Sequence, residues 1–277
     1  MSNRALEDVD ILNNNCQKLY DWSEQWLMKL NINKCKILSV GHRVKKNFKY
    51  GFNIENVGFV ELEHVEVMQD LGVTIDENLS YKNHINDKIN KAFQMIGILN
   101  RNFKNLDKST FILLYKSLVR SQLEYANSVW NPYRISLVEE LEKVQKRATK
   151  LVWCCRKMKY KERLMYLQLP TLKYRRLRGD MIETYKILTG VYNSEIVPCL
   201  KRSTNIHTRG NCLKLSVERA KYDIRKYSFP VRIINIWNSL PDAVIKCGSI
   251  NSFKNCLDKL WQKEELYYDF KANLTGS

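Results

Sequence analysis

Basic residues are concentrated in one stretch of the sequence, between Lys143 and Arg178. Thirteen of its residues are Lys or Arg, and only Glu162 is acidic. The stretch therefore carries most of the net charge of +17 that the 277-residue chain bears at pH 7. Like charges at this density indicate a polyanionic partner. The candidate phosphate ligands are Lys143, Lys146, Arg147 and Lys150 in one cluster, and Arg175, Arg176 and Arg178 in a second.

Aromatic residues lie among these cations: Trp153, Tyr160, Tyr166 and Tyr174. Cations can contact backbone phosphates and rings can stack on bases, so the pattern predicts binding to RNA or DNA. An anionic membrane surface is a second candidate partner, and a basic helix face that contacts only solvent is a third interpretation. The near absence of acidic residues within the stretch favours binding.

Residues suited to catalysis or metal binding are sparse. The sequence contains no G-x-x-x-x-G-K-[ST], no G-x-S-x-G and no H-E-x-x-H. Cys199, His207 and Cys212 could ligate zinc, but a fourth ligand at the usual spacing is missing. Asp70 and Asp76 flank Leu-Gly-Val-Thr-Ile, where turn and cap roles are favoured over metal binding. We therefore predict no metal site.

Cysteine usage and hydropathy indicate the compartment. The eight cysteines are scattered and no pair reads C-x-x-C. The first residues do not form a signal peptide, and no apolar run approaches the roughly 18 residues that span a bilayer. We therefore predict free thiols in an intracellular protein that is not secreted and does not insert into a membrane.

Apolar spacing predicts the elements that position the basic residues. An apolar stripe with gaps of three or four predicts a helix from about Ala5 to Leu30; its members are Val9, Leu12, Cys16, Leu19, Trp22 and Trp26. Short strands are predicted in KCKILSVG and between Val57 and Ile75, separated by loops or a hairpin. The chain is predicted to be helical after Ser80.

The predicted helices of the second half carry the basic clusters. An apolar stripe from Leu137 to Cys155 leaves Lys143, Lys146, Arg147 and Lys150 on the solvent side of one helix. Other expectations are an N-cap at Asp107 or Ser109, a C-cap at Gly190, a strand in KLSVERA and a helix over 228–240. A final helix is predicted from Ser249 to Trp261, with Ser249 and Ser252 as alternative caps. The predicted fold class is α+β, mostly α-helical.

Long segments of the chain resemble one family. LYDWSEQWLMKLNINKCKILSVGH and MQDLGVTIDENLSYKNHI resemble the segment after the catalytic Asp-Asp turn of reverse transcriptases from non-LTR retrotransposons, especially jockey-like elements. The C-terminal half of the same family is similar to LYKSLVRSQLEYANSVWNP, LEKVQKRATKL, LPTLKYRRLRGDMIETYKIL, FPVRIINIWNSLPDAV and SFKNCLDKLW. The resemblance covers about Ala5 to Trp261, and its motifs occur in order.

The resemblance implies three domains: a remnant of the polymerase palm with short strands at 1–82, a helical, basic thumb at 83–195 and a mixed C-terminal domain at 196–277. It implies that Lys34 acts as a general acid toward the leaving pyrophosphate. The alternative, a strand-edge cation without that role, stays open. It also implies that Leu71 and Gly72 form the primer grip, where glycine permits close backbone approach.

The chain departs from the family in its catalytic residues. The Tyr-Ala-Asp-Asp turn that precedes this helix in the family, and whose carboxylates hold metal ions, does not occur in this sequence. We therefore expect no nucleotide addition by this chain alone and no cofactor, since Mg²⁺ would be expected only for the intact polymerase. The leading hypothesis is a truncated reverse transcriptase that still binds RNA–DNA template-primer, in the nucleus or in a cytoplasmic ribonucleoprotein. A fragment of a longer active polymerase, a non-enzymatic RNA- or DNA-binding protein and a non-functional remnant are the alternatives.

Overall fold

The computed structural model describes residues 3–41, 48–203 and 213–274. Helices predominate in it and the strands are short, which confirms the predicted mostly helical α+β class. The chain divides into two compact units, Met1–Tyr81 and Lys82–Ser277. The separation of a thumb from a C-terminal domain near residue 195 stays a prediction.

The described residues of the first unit form one long helix and six short strands. Helix α1 spans Asn3–Gln25, and a 3-10 turn spans Ile32–Lys34. The strands are β1 (Lys36–Leu38), β2 (Gly51–Ile54), β3 (Gly58–Glu61), β4 (Glu63–Val65), β5 (Val67–Asp70) and β6 (Val73–Asp76). They pair in twos: β1 with β4 in parallel, β2 with β3 and β5 with β6 antiparallel. Helix α1 ends before the predicted Leu30, because Leu27 adopts a left-handed backbone with φ of 56°.

Helix α1 does not bury its predicted apolar stripe. Leu12, Leu19, Trp22 and Trp26 are exposed. The helix contacts strand β2 with other side chains: the Asn53 amide donates to Gln17 Oε1 at 2.7 Å, and the Tyr20 ring lies 5.7 Å from the ring of Phe52. A two-stranded sheet offers too little surface to cover a stripe of this length, so the apolar side chains remain in solvent.

The second unit contains the remaining helices. They are α2 (Lys82–Asn102), α3 (Lys108–Leu114), α4 (Ser121–Glu124), α5 (Asn127–Trp130), α6 (Ile135–Ala148), α7 (Tyr160–Leu167), α8 (Leu172–Leu188), α9 (Asp223–Lys226), α10 (Phe229–Arg232), α11 (Ile234–Ser239), α12 (Asp242–Ile245) and α13 (Ile250–Trp261). A π-helical turn at Tyr115–Arg120 joins α3 to α4, and 3-10 turns span Thr149–Leu151, Trp153–Cys155 and Glu265–Tyr267. In the described parts of the chain, none of the helices is long and apolar enough to cross a lipid bilayer.

Several predicted boundaries and caps of this unit are confirmed. Asp107 caps α3 by accepting from the amides of Ser109 and Thr110, and Ser249 caps α13. Gly190 follows the end of α8 with φ of 72°. The helix predicted over 228–240 is two helices, α10 and α11, and the strand predicted in KLSVERA is a single bridge from Leu215 to Arg202.

Two packed regions make up the interior of this unit. In one, α2 packs against α6: the predicted apolar stripe of α6 is buried, and so are apolar residues of α2 at gaps of three or four, from Ile85 to Leu99. In the other, α8 shares a hydrophobic cluster with the C-terminal helices, including Tyr185, Trp237, Phe253 and Leu257. Helix α8 therefore connects the basic stretch of the sequence to the last part of the chain.

Candidate nucleic-acid interface

Helix α6 and the turn after it present the first predicted cluster of cations. Leu141, Val144 and Ala148 are fully buried on the opposite side of α6. Because of that spacing, Lys143, Arg147 and Lys150 are exposed and Lys146 is half-buried. The predicted solvent-facing position is thus confirmed for three of the four cations, and Lys146 is partly covered.

The four cations of this cluster differ in the contacts that they already make with protein groups. Lys143 Nζ lies 2.5 Å from Glu140 Oε1, and that hydrogen bond raises the pKa of Lys143. Lys146 Nζ lies 4.6 Å from the centroid of the Phe270 ring, and the Arg147 guanidinium lies 5.5 Å from that of Phe93. Arg147 and Lys150 are therefore better placed than Lys143 to neutralise a phosphate.

A cleft lies between α2 and the end of α6. Its lining residues are Ile96, Gly97, Asn100, Arg147, Lys150, Leu151 and Arg156, and we call it the Arg156 cleft. Its volume is 370 Å³. Three of its lining residues are cations, and none of the described residues that line it is acidic. Gly97 has open space where a side chain would stand, so the backbone of α2 is accessible there.

An indole ring stands beside the Arg156 cleft. Trp153 is 66% exposed, and the Arg156 guanidinium lies 4.7 Å from its ring centroid. Exposed aromatic rings next to cations are typical of sites that bind single-stranded nucleic acid, where rings stack on bases and cations contact phosphates. Sequence reasoning placed both residues within the basic stretch but did not single out Arg156, because a 3-10 turn brings it to this cleft.

The second predicted cluster lies elsewhere. Arg175 and Arg178 line a groove of 550 Å³ together with Lys116, Arg120 and Lys259, which we call the Arg175 groove. Carboxylates already bind both of these arginines. Arg175 pairs with Glu124. Arg178 donates to both carboxylate oxygens of Asp258, at 2.5 and 2.7 Å.

Arg176 does not belong to a surface cluster. Its side chain is in the interior of the unit, with 2% of the residue exposed. The backbone phosphates of a nucleic acid on the surface that holds Arg175 and Arg178 do not reach a guanidinium at that depth, so the expectation that Arg176 contacts nucleic acid together with those two residues does not fit its position. Consecutive residues on a helix point in different directions, and Arg176 is on the inward side of α8.

The polymerase residues implied by the resemblance lie in the first unit. Lys34 ends the 3-10 turn before β1 and is exposed. Leu71 and Gly72 form the turn between β5 and β6, with φ of 42° and 79°. The turn geometry suits glycine at the second position, while the primer-grip role and the general-acid role stay predictions.

Of the candidate metal ligands, Asp70 ends strand β5 and Cys199 is an exposed free cysteine. Asp76 accepts hydrogen bonds from the amides of Asn78, Ser80 and Tyr81, the cap role that was favoured for it. His207 and Cys212 lie outside the described residues. Within the ranges that the structure describes, no three His, Cys, Asp or Glu residues are grouped so that they could hold a metal ion.

Comparison with known proteins finds a similar protein whose name states no function. No family model matches the chain, and no solved structure matches it. The chain is similar to the uncharacterized protein B0403.1 of Caenorhabditis elegans, with 28% identity over 142 residues. The match covers 50% of this chain and 72% of the nematode protein.

Proposed function

We propose that this chain binds RNA or DNA through the second unit, and that it derives from the late palm, thumb and C-terminal region of a non-LTR reverse transcriptase. The observation that carries the binding proposal is the Arg156 cleft, where Arg147, Lys150 and Arg156 meet and none of the described lining residues is acidic. In this proposal the chain holds template and primer without adding nucleotides. It acts in the nucleus or in a cytoplasmic ribonucleoprotein.

The physical basis of the binding is the release of counterions and the stacking of bases. Each phosphate that a cation neutralises releases condensed counterions, which makes affinity fall steeply with salt. Stacking a base on an exposed ring contributes roughly 1–3 kcal/mol whatever the base. The cations of the cleft supply the counterion release, and the ring of Trp153 beside it supplies the stacking. Neither contribution depends on the nucleotide sequence.

The retroelement origin rests on the motifs of the sequence. They cover both units in the order of the family, from the palm segment around Lys34 to the C-terminal segment ending at Trp261. In this proposal Leu71 and Gly72 support the primer end. Lys34 would act on pyrophosphate only when the missing catalytic carboxylates are supplied by another part of the polymerase.

Binding to a labelled RNA–DNA primer-template across a salt series tests the proposal. We expect log affinity to fall linearly with log salt in the wild-type chain. The triple variant Arg147→Glu, Lys150→Glu, Arg156→Glu should bind at least about tenfold more weakly, with a salt slope shallower by about 2 to 3, since each lost phosphate contact removes about 0.9.

A matched control separates the cleft from bulk charge. Arg219, Lys221 and Lys263 are exposed and lie outside the Arg156 cleft. Reversing these three charges changes the net charge by the same amount and should leave most of the affinity. Equal losses in the two triple variants, or no binding by the wild type, would show that the cleft is not a nucleic-acid site.

A further inference from the structure

The second unit contains a pocket away from the Arg156 cleft. It lies between α6, α8 and the residues around Phe270, and its volume is 590 Å³. Ile135, Val138, Leu177 and Phe270 form an apolar wall. Because Arg176 borders it, we call it the Arg176 pocket. Among the described residues, none lines both this pocket and the Arg156 cleft.

The guanidinium of Arg176 is buried without a hydrogen bond. Among the described residues, Nε, Nη1 and Nη2 have no hydrogen-bond partner. A guanidinium carries five N–H donors, and burying donors without acceptors costs several kcal/mol unless they find a partner. The burial of the Arg176 guanidinium is therefore costly as long as its N–H groups lack an acceptor.

Nearby carboxylates do not serve as that acceptor. Glu142 accepts hydrogen bonds from the Tyr160 hydroxyl at 2.7 Å and from the Lys173 amide at 2.9 Å. Asp180 is bound by Arg232. Burial lowers the pKa of Arg176, while the charges of Glu142 and Asp180 oppose that change at longer range. Both carboxylates thus balance the charge of Arg176 without satisfying its N–H groups.

The other cations of the pocket are held by protein groups. Lys173 Nζ donates to the Ala272 carbonyl at 2.8 Å and to Asn273 Oδ1 at 3.1 Å. Arg232 is engaged by Asp180. With Lys271, which also lines the pocket, they add positive potential around Arg176. Glu139 is the one carboxylate among the described residues that line the pocket.

We propose that the Arg176 pocket binds a small organic anion, an apolar body that carries one phosphate or carboxylate group. The apolar body would pack on Val138, Leu177 and Phe270, and two anionic oxygens would accept from the planar fork of Arg176. The guanidinium nitrogens are now covered from solvent. These nitrogens make no hydrogen bond with the described residues. The Arg176 side chain can therefore rotate toward the pocket without breaking a hydrogen bond.

A water molecule is a poorer partner for this site. It accepts two hydrogen bonds at most, brings no charge and gains nothing from the apolar wall. An anion with two oxygens matches the two parallel N–H donors of the guanidinium. Its apolar part covers the apolar wall of the pocket and so excludes water from it.

Titration calorimetry with simple probes tests the proposal on the full chain. The probes are phenyl phosphate and benzoate, with benzyl alcohol as the uncharged analogue and inorganic phosphate as the anion without an apolar body. We expect at least one of the two organic anions to bind in the millimolar range or better. Benzyl alcohol and inorganic phosphate should each bind at least tenfold more weakly.

Two variants locate the site. Arg176→Met removes the fork, and Val138→Trp fills the apolar part while keeping every charge; each should weaken the organic anion at least tenfold. Val138→Trp covers the case in which Arg176→Met fails to fold. The triple charge reversal in the Arg156 cleft should bind the probes as the wild type does, so this result stands apart from nucleic-acid binding.

Three outcomes would overturn the inference. They are no binding of either organic anion at about 10 mM, equal binding of benzyl alcohol, and unchanged binding in Val138→Trp. In any of these cases Arg176 would be a structural counter-charge to Glu142 and Asp180.

Discussion

Arg232 binds Asp180 through two parallel hydrogen bonds, from Nε to Oδ2 at 3.0 Å and from Nη2 to Oδ1 at 2.8 Å. The Arg232 Nη2 atom also donates to the Ser128 carbonyl at 2.6 Å, and Asn131 donates to the same carboxylate. One ion pair thus joins α10, α8 and the region around α5. The side chains of Arg232 and Asp180 are 13% and 2% exposed, so solvent screens their attraction little.

Removing the arginine should destabilise the second unit strongly. Arg232→Met leaves the carboxylate of Asp180 buried without its main partner, which typically costs 3–5 kcal/mol of the free energy of unfolding. Urea unfolding followed by circular dichroism measures this cost. Arg219→Met, at an exposed position, is the control and should change stability by less than about 0.5 kcal/mol. A loss below 1 kcal/mol in Arg232→Met would contradict the role assigned to the pair.

The pair of Arg232 and Asp180 shows which contacts can be predicted from the sequence and which cannot. The position of Asp180 within RRLRGDMI predicts that it pairs with a neighbouring arginine, whereas its partner is Arg232 in another helix. Caps such as Asp107 and Ser249 were predicted because they depend on residues three positions away or fewer. Ion pairs between distant segments depend on how helices pack, and a single sequence carries no direct signal for that.

Helical periodicity failed where the backbone departs from the α-helix. Gaps of three and four in the sequence predict an apolar stripe of Phe111, Leu114 and Leu118. The fully buried residues are instead Phe111, Tyr115 and Val119. A π-helical turn spans Tyr115–Arg120, and its wider turns bring residues four apart onto one line. The Arg156 cleft was missed for a related reason, since it needs a 3-10 turn and the packing of α2 on α6.

The buried polar network around Glu142 should be sensitive to loss of one hydroxyl. The Tyr160 hydroxyl donates to Glu142 at 2.7 Å and accepts from Gln145 Nε2 at 3.1 Å. Burial raises the pKa of Glu142, and the bond from Tyr160 opposes that rise. Tyr160→Phe should therefore lower the free energy of unfolding by roughly 1.5–3 kcal/mol, the usual range for a hydrogen bond to a charged group.

Thermal and urea unfolding of Tyr160→Phe measure this loss. Tyr222→Phe is a matched control, since Tyr222 is 60% exposed and should lose almost nothing. Equal stability of the two variants would show that Tyr160 does not stabilise the Glu142 carboxylate.

His84 should make the stability of the second unit depend on pH. It is 1% exposed, and burial, helped by Lys88, lowers its pKa from 6.5 to about 4. Below pH 6.5 His84 is protonated in the unfolded chain, whereas in the folded chain it is protonated only below about pH 4. Stability from this group is therefore complete above pH 6.5 and falls by up to about 3 kcal/mol as pH drops to 4.

The variant His84→Leu isolates this effect. Unfolding free energies of wild type and variant are measured at several pH values from 7 to 4.5, and their difference is plotted against pH. Because leucine does not titrate, the difference should shift steadily in favour of the variant as pH falls. A difference that stays constant over this range would mean that His84 takes up its proton equally in the folded and unfolded chains.

Trp153 should contribute to affinity for single-stranded nucleic acid more than another equally exposed tryptophan does. Its ring is 66% exposed beside Arg156, whereas Trp26 in the first unit is 63% exposed. Trp153→Ala should weaken binding to a single-stranded RNA by roughly 1–3 kcal/mol, about five- to 150-fold, with little change in salt slope because no cation is lost. Trp26→Ala, measured by fluorescence anisotropy in the same buffer, should stay within about twofold of wild type. Equal effects of the two substitutions would place base stacking elsewhere on the chain, and a change in slope for Trp153→Ala would mean that the ring acts by holding Arg156.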